Sequence, residues 1–213
     1  MSVTIETITG ERLLSVVPDL ARLRITVFRE WPYLYDGNLA YEEDYLHAYM
    51  QSPETAVVVA KDSDRVVGAS TCLPLKDEMA CIRAPFEERG LSASDFFYFG
   101  ESVLLESYRG QGIGVRFFEE RERHARSASQ ASFAVFCAVR RWKTDPRRPD
   151  DAHSLADFWG KRGFSPLPGL FCHMSWKEPG IPGQRDHLLD FHIKPLRGDP
   201  IPEALLHNNQ DED

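Results

Sequence analysis

Residues 109–114 read Arg-Gly-Gln-Gly-Ile-Gly and lie between an apolar run and an amphipathic one. Glycines at 110, 112 and 114 remove side chains where a ligand must approach the backbone, and the first N–H groups of a helix have no partner inside it. A turn of this kind favours an anion, most often a phosphate. Upstream, Glu101 interrupts the apolar stretch FFYFGESVLL. A carboxylate is costly to bury there, and burial would raise its pKa towards the range where a base works near neutral pH. Partners such as Ser102, an arginine or backbone donors would equally satisfy it as a structural group.

Three phosphate-binding designs compete for the glycine turn. A P-loop needs Lys and then Ser or Thr after the last glycine, and Val115 and Arg116 stand there instead. A dinucleotide fingerprint needs a third Gly or Ala, where this chain has Val115 in one register and Phe117 in the other. Arg140, after the following strand, could meet a 2′-phosphate, which leaves the nicotinamide reading with little support. The third design fits. The segment from Val103 to Gly114, with Arg109, Gly112 and Gly114 in place, resembles the acyl-CoA motif of the GNAT superfamily of N-acetyltransferases. Phe158-Trp159-Gly160-Lys161-Arg162-Gly163-Phe164 is similar to that family's second signature.

The resemblance covers about residues 3–195 and implies an acyltransferase that uses acetyl-CoA as co-substrate. It implies that Val103, Leu104 and Leu105 offer backbone to the acetyl and pantetheine arm. The N–H groups from Arg109 through Gly110, Gln111, Gly112 and Ile113 to Gly114 would take the pyrophosphate, with Trp159 nearby. The fourth and fifth strands would splay to admit the arm.

Acetyl transfer from a thioester to an amine needs a neutral amine, a stabilised carbonyl oxygen and a protonated leaving thiolate. Glu101 is the candidate base. Many members of the family place an acidic tyrosine where this chain has Trp159, and indole cannot serve. Tyr98, Tyr108, Cys137 or water are the remaining proton donors. Trp31, Tyr33, Tyr35, Asp36 and Tyr41 form the expected acceptor wall, where aromatics beside carboxylates suit a cationic amine. The acceptor is thus a small-molecule or protein amine, reached directly without a covalent enzyme intermediate. Two alternatives stay open: an acyl-CoA-binding sensor without catalysis, and a synthase of acyl-homoserine-lactone type, to which Val27-Phe28-Arg29-Glu30 is similar.

The elements that must position these residues follow from periodicity. Val3 to Ile8 alternates as a strand, and Leu13, Val16, Val17, Leu20, Leu23, Val27 and Phe28 share one helical face until Pro32. Tyr41, Tyr45 and Tyr49 mark a second helix. Strands are expected at residues 55–60 and 65–75, then, after a connection of uncertain form, at 96–105. A helix follows to about Ser127, a strand buried on both faces at 133–139, a helix over 153–161 with Gly163 as its C-cap, and last strands at 164–176 and 188–194. The fold class is α/β (α+β): one domain over residues 3–195, a mixed sheet of about six to seven strands and about four flanking helices. Residues 196–213 read as a tail ending in the acidic HNNQDED.

Lys and Arg number 25 against 33 Asp and Glu, a net charge of −8. That balance argues against nucleic acid as a partner. The basic cluster Arg140, Arg141, Lys143, Arg147 and Arg148 is interspersed with aspartates and reads chiefly as a solvated loop. Cys72, Cys81, Cys137 and Cys172 form no C-x-x-C pair, the usage of a reducing compartment, and the histidines lack metal-binding spacing, so no metal is expected. Neither a signal peptide nor a membrane span is legible, which gives a cytoplasmic expectation. The family resemblance is also compatible with a homodimer through the late strands.

Overall fold

Alternation of β-branched and polar residues puts Val3–Thr9 in strand β1 of the computed structural model, which describes residues 3–206. The apolar face that follows opens as a 3-10 turn, Gly10–Val16, before α1, Val17–Phe28, with Pro18 in its first turn where no N–H is needed. Then come α2 (Leu39–Tyr49), β2 (Ala56–Asp62) and β3 (Arg65–Pro74). The connection left undefined in the sequence contains α3, Ala80–Glu87, despite Pro85 inside it. Next are β4 (Phe96–Leu104), α4 (Ile113–Ala128), β5 (Phe133–Val139), α5 (Ala156–Gly160), β6 (Ser165–Lys177) and β7 (Gln184–Pro195). Helix α5 is shorter than expected, because residues 153–155 are irregular and Ser154 Oγ accepts the Ala156 N–H at the helix start; Gly163 does take the left-handed φ of +82°.

The strands form one seven-stranded sheet in the order β1-β2-β3-β4-β5-β7-β6. All pairs are antiparallel except β4–β5. Side chains alternate across it. Phe96, Tyr98 and Val103 face a core shared with α1, α2 and α3, whereas Phe97 and Phe99 face α4 and α5 through Phe118 and Phe158. His187 and His192 follow the same rule: one stacks on Trp176, the other on Phe136.

Two irregularities in β4 position the site. Ser70 lies opposite Ser102 and Cys72 opposite Phe99, so Gly100 and Glu101 together face Thr71 in a β-bulge. A side chain at 100 would run into the Thr71 hydroxyl and come within 2.9 Å of the Tyr49 hydroxyl, which requires glycine there. Secondly, β4 and β5 pair only at Phe96–Phe133, Phe97–Ala134 and Tyr98–Val135 and then part, although both strands continue. Burial in β5 changes at that point, from buried over 133–136 to half-buried over 137–139.

Packing runs past Pro195, where the sequence reading places a tail. Leu196 joins the α4 face and Leu205, in a short 3-10 turn, joins the opposite core. The apolar residues of this Pro- and Gly-containing stretch follow no period that would reveal it. The acidic HNNQDED lies outside the described residues. No helix among the described residues is long and apolar enough to cross a membrane.

Candidate active site

At the start of α4 the glycine turn is shaped by two left-handed residues, Gly110 (φ +76°) and Gly112 (φ +81°). Nothing lies within 4 Å of the position a Cβ would take on either, so the backbone is open to a ligand. The N–H groups of residues 110–114 have no acceptor among the described residues, while that of Arg109 bonds the Glu106 carbonyl at 3.0 Å. The cradle is therefore one residue shorter than expected. Arg109 contributes differently, its guanidinium bridging the Leu104 carbonyl (3.2 Å) and Glu30 (2.6 Å) and so tying the turn to β4 and to the loop after α1. Gln111 holds the Ser107 carbonyl and Ile113 is buried beneath the turn.

The strand residues divide. Val103 packs its side chain into the core, and Leu104 lies on the stretch of β4 that still pairs with β3 but has no ladder partner on the β5 side. Leu105 does not fit the expectation: its N–H bonds Val67 and its carbonyl accepts from Tyr108, both at 3.0 Å. Trp159 is the aromatic expected near the turn. It packs between Phe136 and His192, and its neighbour Phe158 is the aromatic that meets Gly114. At helical spacing adjacent residues point about 100° apart, and the second signature alone does not say which of the two faces the turn.

On the other side of the sheet a cavity of about 370 Å³ is lined by α1 and the loop after it, α2, the start of α3 and the residues before it, β4, β5, the end of β6 and β7. It takes in Tyr33, Tyr35, Asp36, Tyr41, Tyr98, Glu101 and Cys137. Tyr41 is 62 % exposed. Trp31 is not among the lining residues and stands instead under the Arg141 guanidinium, 5.9 Å from its ring centre. Tyr33 packs on Phe28 and Trp176.

Charge in this cavity is organised around Arg24, which no motif marked. Its guanidinium pairs with Glu42 and with Glu101 (2.8 Å), and lies over the rings of Tyr45 and Phe28. The Tyr35 hydroxyl donates to the other oxygen of Glu42 at 2.5 Å. Glu101 is thus an ion-paired carboxylate, and its Oε1 is buried with no partner among the described residues. A third carboxylate besides Asp36 and Glu101, Glu78, lines the same cavity and is also unmarked by any motif. Its Oε2 accepts the Met79 N–H at 2.7 Å, and burial, reinforced by the charge of Glu101, pushes its pKa up to about 7. A polar surface-like context, Lys-Asp-Glu-Met, hid it.

Tyr98 lies where β4 and β5 part, its hydroxyl 3.1 Å from Cys137 Sγ. Burial holds that phenol protonated well above its usual range. Tyr108, by contrast, is committed to Asp62 at 2.7 Å and is not among the lining residues. The basic cluster serves the fold. Arg141 and Arg147 both pair with Glu178 (2.6 and 2.5 Å), Arg140 pairs with Asp190, and Arg141 also donates to the carbonyls of Pro32 and Tyr33, pinning the aromatic loop. Arg29 and Glu30 of the synthase-like segment are spent on Asp36 and Arg109. Among the described residues no group of His, Cys, Asp or Glu is arranged to hold a metal ion.

Solved structures share this fold at low identity. A ribosomal-protein-alanine N-acetyltransferase from Brucella melitensis superposes with a TM-score of 0.58 at 17% identity, over 90% of this chain and 99% of that one. An acetyltransferase structure from Salmonella typhimurium, described as putative and solved with acetyl-CoA, gives 0.55 at 13%, over 95% and 98%. An N-acetyltransferase from Staphylococcus aureus Mu50 gives 0.56 at 12%, over 92% and 100%. No curated protein sequence matches the chain. The sequence profile of the Acetyltransferase (GNAT) family matches residues 22–147, from α1 through the glycine turn to the loop after β5. The protein belongs to the GNAT acetyltransferase family.

Proposed function

We infer that the protein is an acetyl-CoA-dependent N-acetyltransferase that transfers acetyl directly to a primary amine seated in the cavity. One observation carries this reading. Tyr98, Cys137 and Glu101 line the cavity at the place where β4 and β5 separate, so an acceptor bound there would meet a gap in the sheet. The residues present fit acetyl-CoA: five unbonded N–H groups, and open space above Gly110 and Gly112, make a neutral cradle for a pyrophosphate on an acidic protein. When bound, acetyl-CoA supplies an activated acyl group as a thioester. This chain's own residues would hold the pyrophosphate at 110–114, orient the acceptor between the α2 aromatics and β4, and keep a proton on the Tyr98 hydroxyl for the leaving sulfur.

The test is calorimetry with CoA followed by release of free thiol from acetyl-CoA across a panel of amines. Amine-dependent release supports the proposal. Tight CoA binding with no amine-dependent release would establish the sensor instead, and turnover only with an acyl carrier and a methionine derivative would establish the synthase.

A further inference from the structure

Of the three carboxylates that line the cavity, Glu101 and Glu78 are held in different ways from Asp36, which is paired with Lys177. Glu101 is only 6 % exposed at its side chain, gives Oε2 to Arg24 and leaves Oε1 without a partner. Arg24 cannot swing to cover that oxygen, because Glu42 holds its other side and two aromatic rings flank it. Two carboxylates thus share one guanidinium, and a buried negative charge is left over, a costly arrangement unless a cation completes it. The other cation lining the cavity, Lys177, is paired with Asp36 at 3.1 Å. Glu78 approaches from a different element, the connection before α3, and only one of its oxygens is engaged by backbone.

We propose that Glu101 Oε1 holds the ammonium of a primary amine carrying no acidic group, and that Glu78 takes the proton which frees that nitrogen to react. The proposal rests on the reading that this cavity seats the acceptor. In the step, an N–H bond of the ammonium breaks, an O–H bond forms on Glu78, and the electron pair stays on nitrogen. Ammonium plus thioester then gives amide, thiol and one proton, which Glu78 returns to solvent.

A carboxylate on the acceptor would find no free cation among the described residues that line the cavity and would face Glu78, Glu101 and Asp36, whereas an aromatic or aliphatic body would pack among Tyr33, Tyr45 and Trp176. The groups acting on Glu78 are Glu101, Arg24 and Arg83, with Tyr45, Tyr49, Tyr98, Cys81 and Cys172 nearby. Of the cations, Arg24 is saturated and Arg83 Nη1 is engaged by the Lys76 and Glu78 carbonyls. Burial therefore governs Glu78, and its pKa of about 7 lets it both take and release a proton at neutral pH.

Calorimetry with 2-phenylethylamine and with phenylalanine separates the roles from turnover. The wild type should bind 2-phenylethylamine at least about tenfold more tightly than phenylalanine. Glu101→Gln should lose at least about tenfold in affinity for 2-phenylethylamine while keeping its affinity for CoA. Glu101→Asp, which keeps a charge beside Arg24 but withdraws it from the cavity, should lose less. Glu78→Gln should hold amine affinity but lower thiol release by about a hundredfold and remove the rise in rate through pH 7. Equal binding of the two probes, or full affinity in folded Glu101→Gln, overturns the ammonium site. A wild-type rate and pH profile in Glu78→Gln overturns its role. A wild type that binds the amine and CoA but releases no thiol overturns the acetyltransferase reading and the role of Glu78, with the ammonium site standing.

Discussion

Arg24 shows how a single buried residue can set the chemistry of its neighbours. It pairs with Glu42 and Glu101 at once and is itself almost fully enclosed. Replacing it by Met would leave two buried carboxylates uncompensated, and the expected loss is about 3–5 kcal/mol in urea unfolding. Glu78 carries the opposite sign. Its folded pKa, about 7, lies above that of an unfolded glutamate. The stability it contributes is complete below the unfolded value, falls as pH rises between the two, and is lost above pH 7. Glu78→Gln should therefore melt like the wild type near pH 4 and higher than it at pH 8, by on the order of 3 kcal/mol. Melting curves across that range check the sign: a variant less stable than wild type at pH 8 would refute the buried, raised carboxyl.

At the scale of elements, the glycine turn and the β4 bulge depend on backbone shapes that side chains would spoil. Gly112→Asp sets an anion against the free N–H groups of 110–114 and should abolish CoA binding in calorimetry while leaving the far-ultraviolet circular dichroism unchanged. Unchanged CoA affinity in the folded variant would misplace the cradle. The turn was legible because its glycines are dictated by local geometry, and strands such as β5 were legible because burial on two faces leaves a continuous apolar run. Glu78 and Arg24 were not legible. What matters about Arg24 is a pair of partners distant in sequence, Glu42 and Glu101, and what matters about Glu78 is the burial that the fold imposes on it; one-dimensional spacing carries neither. Helix α3 is hidden by Pro85 in its last turn, and a signature fixes a helix but not the rotation that decides whether Phe158 or Trp159 lies against Gly114. The hydrogen bond from the Leu105 N–H to Val67 follows from a register that only the folded sheet reveals.

For the whole molecule, the sheet and both cores close only when the segment after β7 is included. Truncation after Pro195 removes Leu196 and Leu205, each buried in a different core, and should cost at least about 3 kcal/mol in denaturant unfolding. An unfolding midpoint equal to that of the full chain would show that the last described turn is dispensable. The parting of β4 from β5 after only three paired positions has a further consequence for the whole sheet. Strands β1 to β4 and strands β5 to β7 are joined across the middle by a short stretch of ladder, so the amides on the open edge of β4 have no strand to shield them. In hydrogen–deuterium exchange these amides, between Phe99 and Leu104, should be the fastest of any in the interior strands. Saturation with CoA should slow them while leaving β2 and β3 unaffected, so that the co-substrate acts as the missing rung between two halves of one sheet.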